Sequence, residues 1–230
     1  MGALYLVRHG QASFGAEDYD QLSERGFVQA RVLGESLRAR LPRVDAVITG
    51  TMLRHRQTAE SCLAGLGLEV PHQRMAGFNE FDHNELVVKH VPRYASHAAL
   101  VQDLASTTDP RRAFQELFTA AVARWVGGEH DDDYAESWPT FQARCVGALD
   151  LLVRELGASK TALVFTSGGT ITAICQHLMH IPDEHAFRLN WTLANCGVTK
   201  VIYSERGRYL SSLNEHGHFE GAHRDLLTYR

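Results

Sequence analysis

The sequence predicts an α/β fold: a mostly parallel central sheet flanked by helices, with a helical cap inserted into it. Three observations carry this expectation. The first 65 or so residues alternate strand and helix patterns, β-α-β-α, which calls for parallel strands with covering helices. A further strand passes through glycines into a helix at residues 161–178. Between these halves, from Phe78 to about Pro139, no strand pattern is readable. The chain is therefore read as one domain, residues 1–230, with a cap insertion at about 78–139.

The first strand is Leu4-Tyr5-Leu6-Val7, an unbroken apolar run of the kind buried on both faces of a parallel sheet. It ends abruptly in Arg8-His9-Gly10. Ligands of open α/β sheets bind at the carboxyl ends of strands, where these residues sit. Gly10, without a Cβ, allows a tight turn or a close approach to a ligand. Helical periodicity follows from about Ser23 to Leu41, with Val28, Val32, Leu33 and Leu37 apolar, and Pro42 stops it. Val44–Ile48 reads as a second strand, Thr49-Gly50-Thr51 as its turn, and Met52–Leu63 as a helix.

In the cap, one helix is readable from about Arg111 to Val126, and Asp131-Asp132-Asp133 reads as a solvated loop. Regular structure resumes with a helix over about Thr140–Leu156 and a strand over Thr161–Phe165. Ser167-Gly168-Gly169-Thr170 then opens a helix running through Leu178, an arrangement suited to cradling phosphate at a helix N-terminus. The chain closes with two antiparallel strands, Val198–Ser204 and Tyr209–Leu213, joined at Arg206-Gly207.

Composition narrows the function classes. The net charge of -4 provides no global basic field for nucleic acid or an anionic membrane. An anionic substrate would need local cations instead. The four cysteines lack CxxC spacing, which argues against a zinc site or disulfide framework and for a reducing compartment. No apolar run approaches the roughly 18 residues of a spanning helix. No secretory signal is visible, so a cytoplasmic location is expected.

Arg8 and Arg54 are the local cations. Arg54 falls in the first turn of a helix that follows a strand end, where the helix dipole favours anions over cations. A bound anion removes that conflict, and the guanidinium fork suits phosphate oxygens. Arg56, two residues on, points elsewhere and is expected to face solvent.

Arg8-His9-Gly10, Leu22-Ser23-Glu24-Arg25-Gly26, and Leu53-Arg54 with Thr58-Ala59 together resemble the N-terminal motifs of the histidine phosphatase superfamily. The resemblance is closest over residues 4–60, looser from Thr161 onward and weakest in the cap. It implies a phosphoglycerate mutase-like fold and a phosphohistidine mechanism in which His9 attacks a phosphoryl group in line. The residues suit that chemistry. A neutral imidazole is a competent nucleophile near pH 7, and phosphoryl transfer needs mainly positioning and charge stabilisation, available from Arg8 and Arg54 without a metal or cofactor.

The resemblance also implies a general acid early in the cap. Glu80, in Gly77-Phe78-Asn79-Glu80-Phe81, is the candidate, with Asp82 in reserve. Neighbouring carboxylates (Asp82 and Glu85) are expected to raise the Glu80 pKa. The departure comes at Ser167: the family's strand end there carries a second histidine that contacts the phosphoryl group. The next histidine along the chain is His177, deep in the following helix. A serine hydroxyl still donates a hydrogen bond, but without an imidazolium's charge. Backbone N–H groups of Gly168 and Gly169 could recover part of the difference. His216-Gly217-His218 and Asp82-His83 are conceivable metal ligands, but surface or packing roles are expected and no metal is assigned.

The functional expectation is thus a phosphomonoester phosphatase acting through phospho-His9, slowed by Ser167. Its catalytic residues are His9 and Glu80, and Arg8, Arg54, Ser167 and Gly168 bind phosphate. The alternative is a catalytically silent protein that binds a phosphorylated ligand or phosphoprotein. Mutase activity is disfavoured by the missing second histidine. The expected partner is a small phosphorylated substrate, with no nucleic acid and no membrane; a homodimer is left open.

Overall fold

The computed structural model describes residues 1–13 and 20–229. Strands β1 (Gly2–Arg8), β2 (Ala46–Thr49), β3 (Gln73–Arg74), β4 (Thr161–Thr166), β5 (Val198–Ser204) and β6 (Gly207–Glu215) form one sheet in the order β3-β2-β4-β1-β5-β6. The first four strands run parallel, and the terminal hairpin β5–β6 adds an antiparallel edge. Register fixes what lies at the carboxyl edge. Arg8 pairs with Thr166, and Thr49 with Phe165, so the segments after β1, β2 and β4 emerge side by side.

The central strands β1, β2 and β4 are buried on both faces, and their period of two sorts side chains between two cores. Tyr5, Val7, Val47, Leu163 and Phe165 pack against α1 (Glu24–Arg40) and α2 (Leu53–Leu66). Leu4, Leu6, Ile48, Ala162 and Val164 face the opposite core, with α6 (Trp138–Leu156) and α7 (Gly168–Met179). The Ser23 hydroxyl caps α1 by accepting from the Gly26 N–H at 3.2 Å.

The insertion contains α3 (His83–His90), α4 (His97–Ala105) and α5 (Pro110–Val126), with no strand among residues 78–139. Its apolar side chains Phe81, Leu86, Phe118 and Trp125 join the same core as Leu4, Trp138 and Phe141. Residues 78–139 therefore share the core on one face of the sheet rather than forming one of their own. The readable helix in this region is α5, whose start is set by Asp109 accepting from the Arg112 N–H and by Pro110. The acidic triplet forms a short 3-10 turn in which Asp133 pairs with Arg124. A further helix, α8 (Asp183–Asn190), and the extension of β6 to Glu215 go beyond the elements read from sequence. All four cysteines are free and buried. Among the described residues, no helix is long and apolar enough to cross a membrane.

Candidate active site

His9 follows the last residue of β1 and is only 7 % exposed. Its backbone is fixed on both sides: the His9 N–H donates to the Thr166 carbonyl at 2.8 Å, and the Asn195 side chain donates to the His9 carbonyl at 3.1 Å. The ring nitrogen Nδ1 lies 2.7 Å from the Gly10 carbonyl. A carbonyl can only accept, so Nδ1 carries the proton and Nε2 keeps a free lone pair. Burial, followed by the charges of Arg54 and Arg8, holds the imidazole pKa well below its usual 6.5. The ring is therefore neutral at pH 7 and nucleophilic at Nε2. The close approach permitted by Gly10 is to the protein itself: a Cβ there would meet the Gly26 carbonyl at 2.5 Å.

Two guanidinium groups act on this ring. Arg54, in the first turn of α2, is buried and forms a 2.8 Å ion pair with Asp20. Asp20 also accepts from the Leu53 N–H at 2.9 Å, so a carboxylate of the chain supplies the anion that this helix end favours. The sequence reading assigns that place to a bound anion; within the chain it is Asp20 that fills it. Arg8 donates through Nη1 to the carbonyls of Leu193 and Tyr229, which aligns the guanidinium beside the start of α7. Gly168 lies there too; a Cβ on it would sit 3.6 Å from Arg8 Nε. Arg56 is 40 % exposed and lies 3.6 Å from Glu60, as its position in the helix requires.

Glu80 is carried on an irregular segment whose carbonyls are held one by one. Arg144 donates to the carbonyls of Ala76, Gly77 and Asn79 at 3.0–3.2 Å. The Thr166 hydroxyl donates to the Phe78 carbonyl at 2.6 Å, and that of Thr170 to the Asn79 carbonyl at 2.9 Å. The Glu80 carboxylate then accepts from the Gly169 N–H at 3.0 Å, at the N-terminus of α7. Its pKa is raised above the usual 4.5, and burial is the cause; Gly169, Arg54 and Arg8 oppose the shift. Repulsion from neighbouring carboxylates, the expected cause, is absent. Asp82 caps α3 by accepting from the N–H groups of Asn84 and Glu85, and Glu85 accepts from the Ala135 N–H. The reserve candidate is thus committed to starting a helix.

Ser167 is fully buried at the N-cap of α7, yet its hydroxyl makes no capping bond. It lies instead 2.6 Å from Nε2 of His55. His55, on α2 directly after Arg54, is also fully buried, with its ring centroid 5.9 Å from that of His9. Distance along the sequence concealed this residue. The visible signal was a histidine in the first turn of the same strand-following helix that presents Arg54. Thr58, one turn further, accepts from the Gly10 N–H at 3.1 Å and ties α2 to the His9 loop.

The remaining histidines have other neighbours. His216 donates to the Asn214 carbonyl at 2.7 Å, and His218 packs on Phe219. His83 packs between Phe81 and Phe118. No group of three or more His, Cys, Asp or Glu among the described residues could hold a metal ion.

Comparison with known proteins places the chain in a family. A family model for the histidine phosphatase superfamily (branch 1) matches residues 4–125 and 105–216. A 2,3-bisphosphoglycerate-dependent phosphoglycerate mutase from Thermobifida fusca is 27 % identical over 210 residues, covering 83 % of each chain. Among solved structures, the phosphoserine phosphatase of Entamoeba histolytica aligns with a TM-score of 0.67 at 17 % identity, over 95 % of this chain and 99 % of that one. The phosphoglycerate mutase of Bacillus anthracis aligns with a TM-score of 0.64 at 19 % identity, over 94 % of each chain. The match of the family model across nearly the whole chain shows that this protein belongs to the histidine phosphatase superfamily, branch 1.

Proposed function

We propose that this protein is a phosphomonoester phosphatase working through a phosphohistidine on His9. The observation that carries the reading is a buried, neutral imidazole whose Nδ1 is bonded to its own loop, leaving Nε2 free beside two guanidinium groups. In the first step, His9 Nε2 attacks phosphorus and the P–O bond to the substrate alcohol breaks. Arg8 and Arg54 take up charge on the equatorial oxygens. Glu80, kept protonated toward higher pH by its burial, gives its proton to the departing alkoxide. In the second step, Glu80 accepts a proton from water as the water oxygen attacks phosphorus. The P–N bond breaks, inorganic phosphate leaves, and His9 and Glu80 are restored.

The cap, residues 78–139, would cover the organic part of a small phosphorylated substrate, since it supplies Glu80, Phe81 and His83 next to the site. The phosphoserine phosphatase and phosphoglycerate mutases among its relatives suggest a phosphorylated metabolite as the class to screen.

The test uses p-nitrophenyl phosphate with rapid quenching. The expected result is turnover together with an acid-labile phosphoprotein, and loss of both by roughly 10³-fold or more in His9→Ala. Equal turnover by the two proteins overturns the reading. Ser167, standing where the family resemblance implies a second histidine, favours a second reading, a silent phosphate binder using Arg8 and Arg54. That reading predicts saturable phosphate binding and no phosphoenzyme. Mutase activity, named for several relatives, is checked by interconversion of the two monophosphoglycerates.

A further inference from the structure

We propose that His55 is a positioning residue for phosphoryl transfer: it donates to Ser167 and so commits the serine hydroxyl to donating to a phosphoryl oxygen. The inference rests on the reading of His9 above, and it concerns a residue on a different element from either His9 or Ser167.

Topology brings the pair into the phosphoryl site. His9 and Ser167 are the first residues beyond β1 and β4, and the register Arg8↔Thr166 places them side by side. His55 enters from α2, and its ring lies 5.9 Å from the His9 ring, centroid to centroid. The space for it comes from the end of β2. Residue 50 is glycine, and a Cβ there would stand 2.3 Å from His55 Nδ1. Three segments at the sheet's carboxyl edge, those following β1, β2 and β4, thus converge on one fully buried imidazole from α2.

The hydrogen-bond inventory then fixes the direction of the bond. Nδ1 of His55 is buried with no partner among the described residues, whereas Nε2 lies 2.6 Å from Ser167 Oγ. A buried N–H left unpaired is less tolerable than an unpaired acceptor. The proton therefore belongs on Nε2, and Nδ1 is the bare lone pair. Burial, and then the charge of Arg54, disfavour a second proton. With Nε2–H donating, Oγ is the acceptor and its own hydrogen is released. Among the described residues His55 is the partner of Ser167 Oγ, so that hydrogen is available to an incoming phosphoryl oxygen. The arrangement turns an ambivalent hydroxyl into an oriented donor, polarised by the bond it accepts.

The test compares His55→Phe, which keeps a ring but no N–H, with His55→Gln, Ser167→Ala and His55→Phe/Ser167→Ala. Each protein is first confirmed as folded by thermal unfolding. Expected is a fall in kcat of about 10- to 100-fold for His55→Phe and for Ser167→Ala, with KM less affected. The double variant should be no slower than the slower single, because the two residues act as one unit. Partial recovery is expected for His55→Gln, whose amide can donate. Wild-type kcat in His55→Phe, or losses that multiply in the double variant, overturns the proposal.

A second measurement needs no variant: imidazole ¹⁵N shifts of the native protein should show His55 protonated at Nε2. Protonation at Nδ1 overturns the proposal. Failure of the His9 reading shows separately, as absence of a phosphoenzyme in the wild type. In that case the pair is judged by calorimetric binding of inorganic phosphate, expected to weaken about 10-fold in His55→Phe and to be unchanged if the pair has no such role.

Discussion

Glu80 and Asp82 are two carboxylates two residues apart with different environments. Asp82 faces out and caps α3, while Glu80 is turned in against Gly169 and its pKa is raised by burial. The proposed acid role therefore falls to Glu80 rather than Asp82, and leaving groups distinguish the two. Glu80→Gln should slow hydrolysis of alkyl phosphates, whose alkoxide needs a proton, by about 10²- to 10⁴-fold. It should slow p-nitrophenyl phosphate far less. Asp82→Ala should leave both rates near wild type and cost about 1 kcal/mol of stability through the lost cap, read as a lower denaturation midpoint. The pH profile of kcat/KM follows from the same environments. The acid limb reports protonation of His9 and should lie well below pH 6.5. The alkaline limb reports loss of the Glu80 proton, above pH 4.5, and should disappear in Glu80→Gln.

The sequence points to Arg8, His9 and Arg54 because each follows closely on the end of a strand pattern. It did not reveal His55, because the histidine that meets Ser167 is 112 positions away along the chain. The same contact decides the outcome of Ser167→His. An imidazole at residue 167 would enter space already filled by the His55 ring, so the single substitution should impair activity. Pairing it with His55→Ala should recover activity, and steady-state kinetics on both variants checks this.

At the scale of elements, the site depends on how an irregular segment is held still. Residues 76–80 have little regular structure beyond one 3-10 turn, and their carbonyls are bound by Arg144, Thr166 and Thr170. Arg144 is itself aligned by Glu136, which accepts from Nε at 2.7 Å and from Nη2 at 2.9 Å. Arg144→Ala should therefore reproduce the leaving-group dependence of Glu80→Gln in weaker form. The accompanying loss of about 1–3 kcal/mol would reflect buried carbonyls left without donors. A uniform fall on all substrates, with no dependence on the alcohol, would count against a role in holding Glu80.

These elements also mark where sequence reading stopped. The strands and long helices announce themselves by periodicity, whereas β3 has two residues and α3 and α8 have eight each, too few turns for a pattern to repeat. The segment carrying Glu80 is specified by long-range donors from α6, β4 and α7, which local sequence does not display.

For the whole molecule, the site has a consequence for stability. His9, His55, His83 and His218 have pKa values lowered chiefly by burial, to about 3 for His83 and about 4 for His218. Below pH 6.5 the unfolded chain takes up protons at these positions that the folded chain refuses. Each such group removes about 1.4 kcal/mol per pH unit once the unfolded histidine is protonated, until its folded pKa is reached. Glu80 acts in the opposite sense over its own window above pH 4.5, because there the folded state holds the extra proton. With several histidines against one glutamate, stability should decline steadily from pH 6.5 to pH 4, read by urea unfolding at fixed ionic strength. His218→Gln should flatten part of that decline from a position outside the phosphoryl site, where the ring packs on Phe219. Inorganic phosphate should raise stability by about 2.7 kcal/mol at a hundred times its Kd, provided the folded site alone binds it. It should also lessen the acid decline, since an anion between Arg8, Arg54 and the two buried imidazoles favours their protonation. If phosphate raises stability equally at pH 5 and pH 8 once its own ionisation is allowed for, His9 and His55 do not face the anion. That outcome would contradict the site geometry as well as the mechanism built on it.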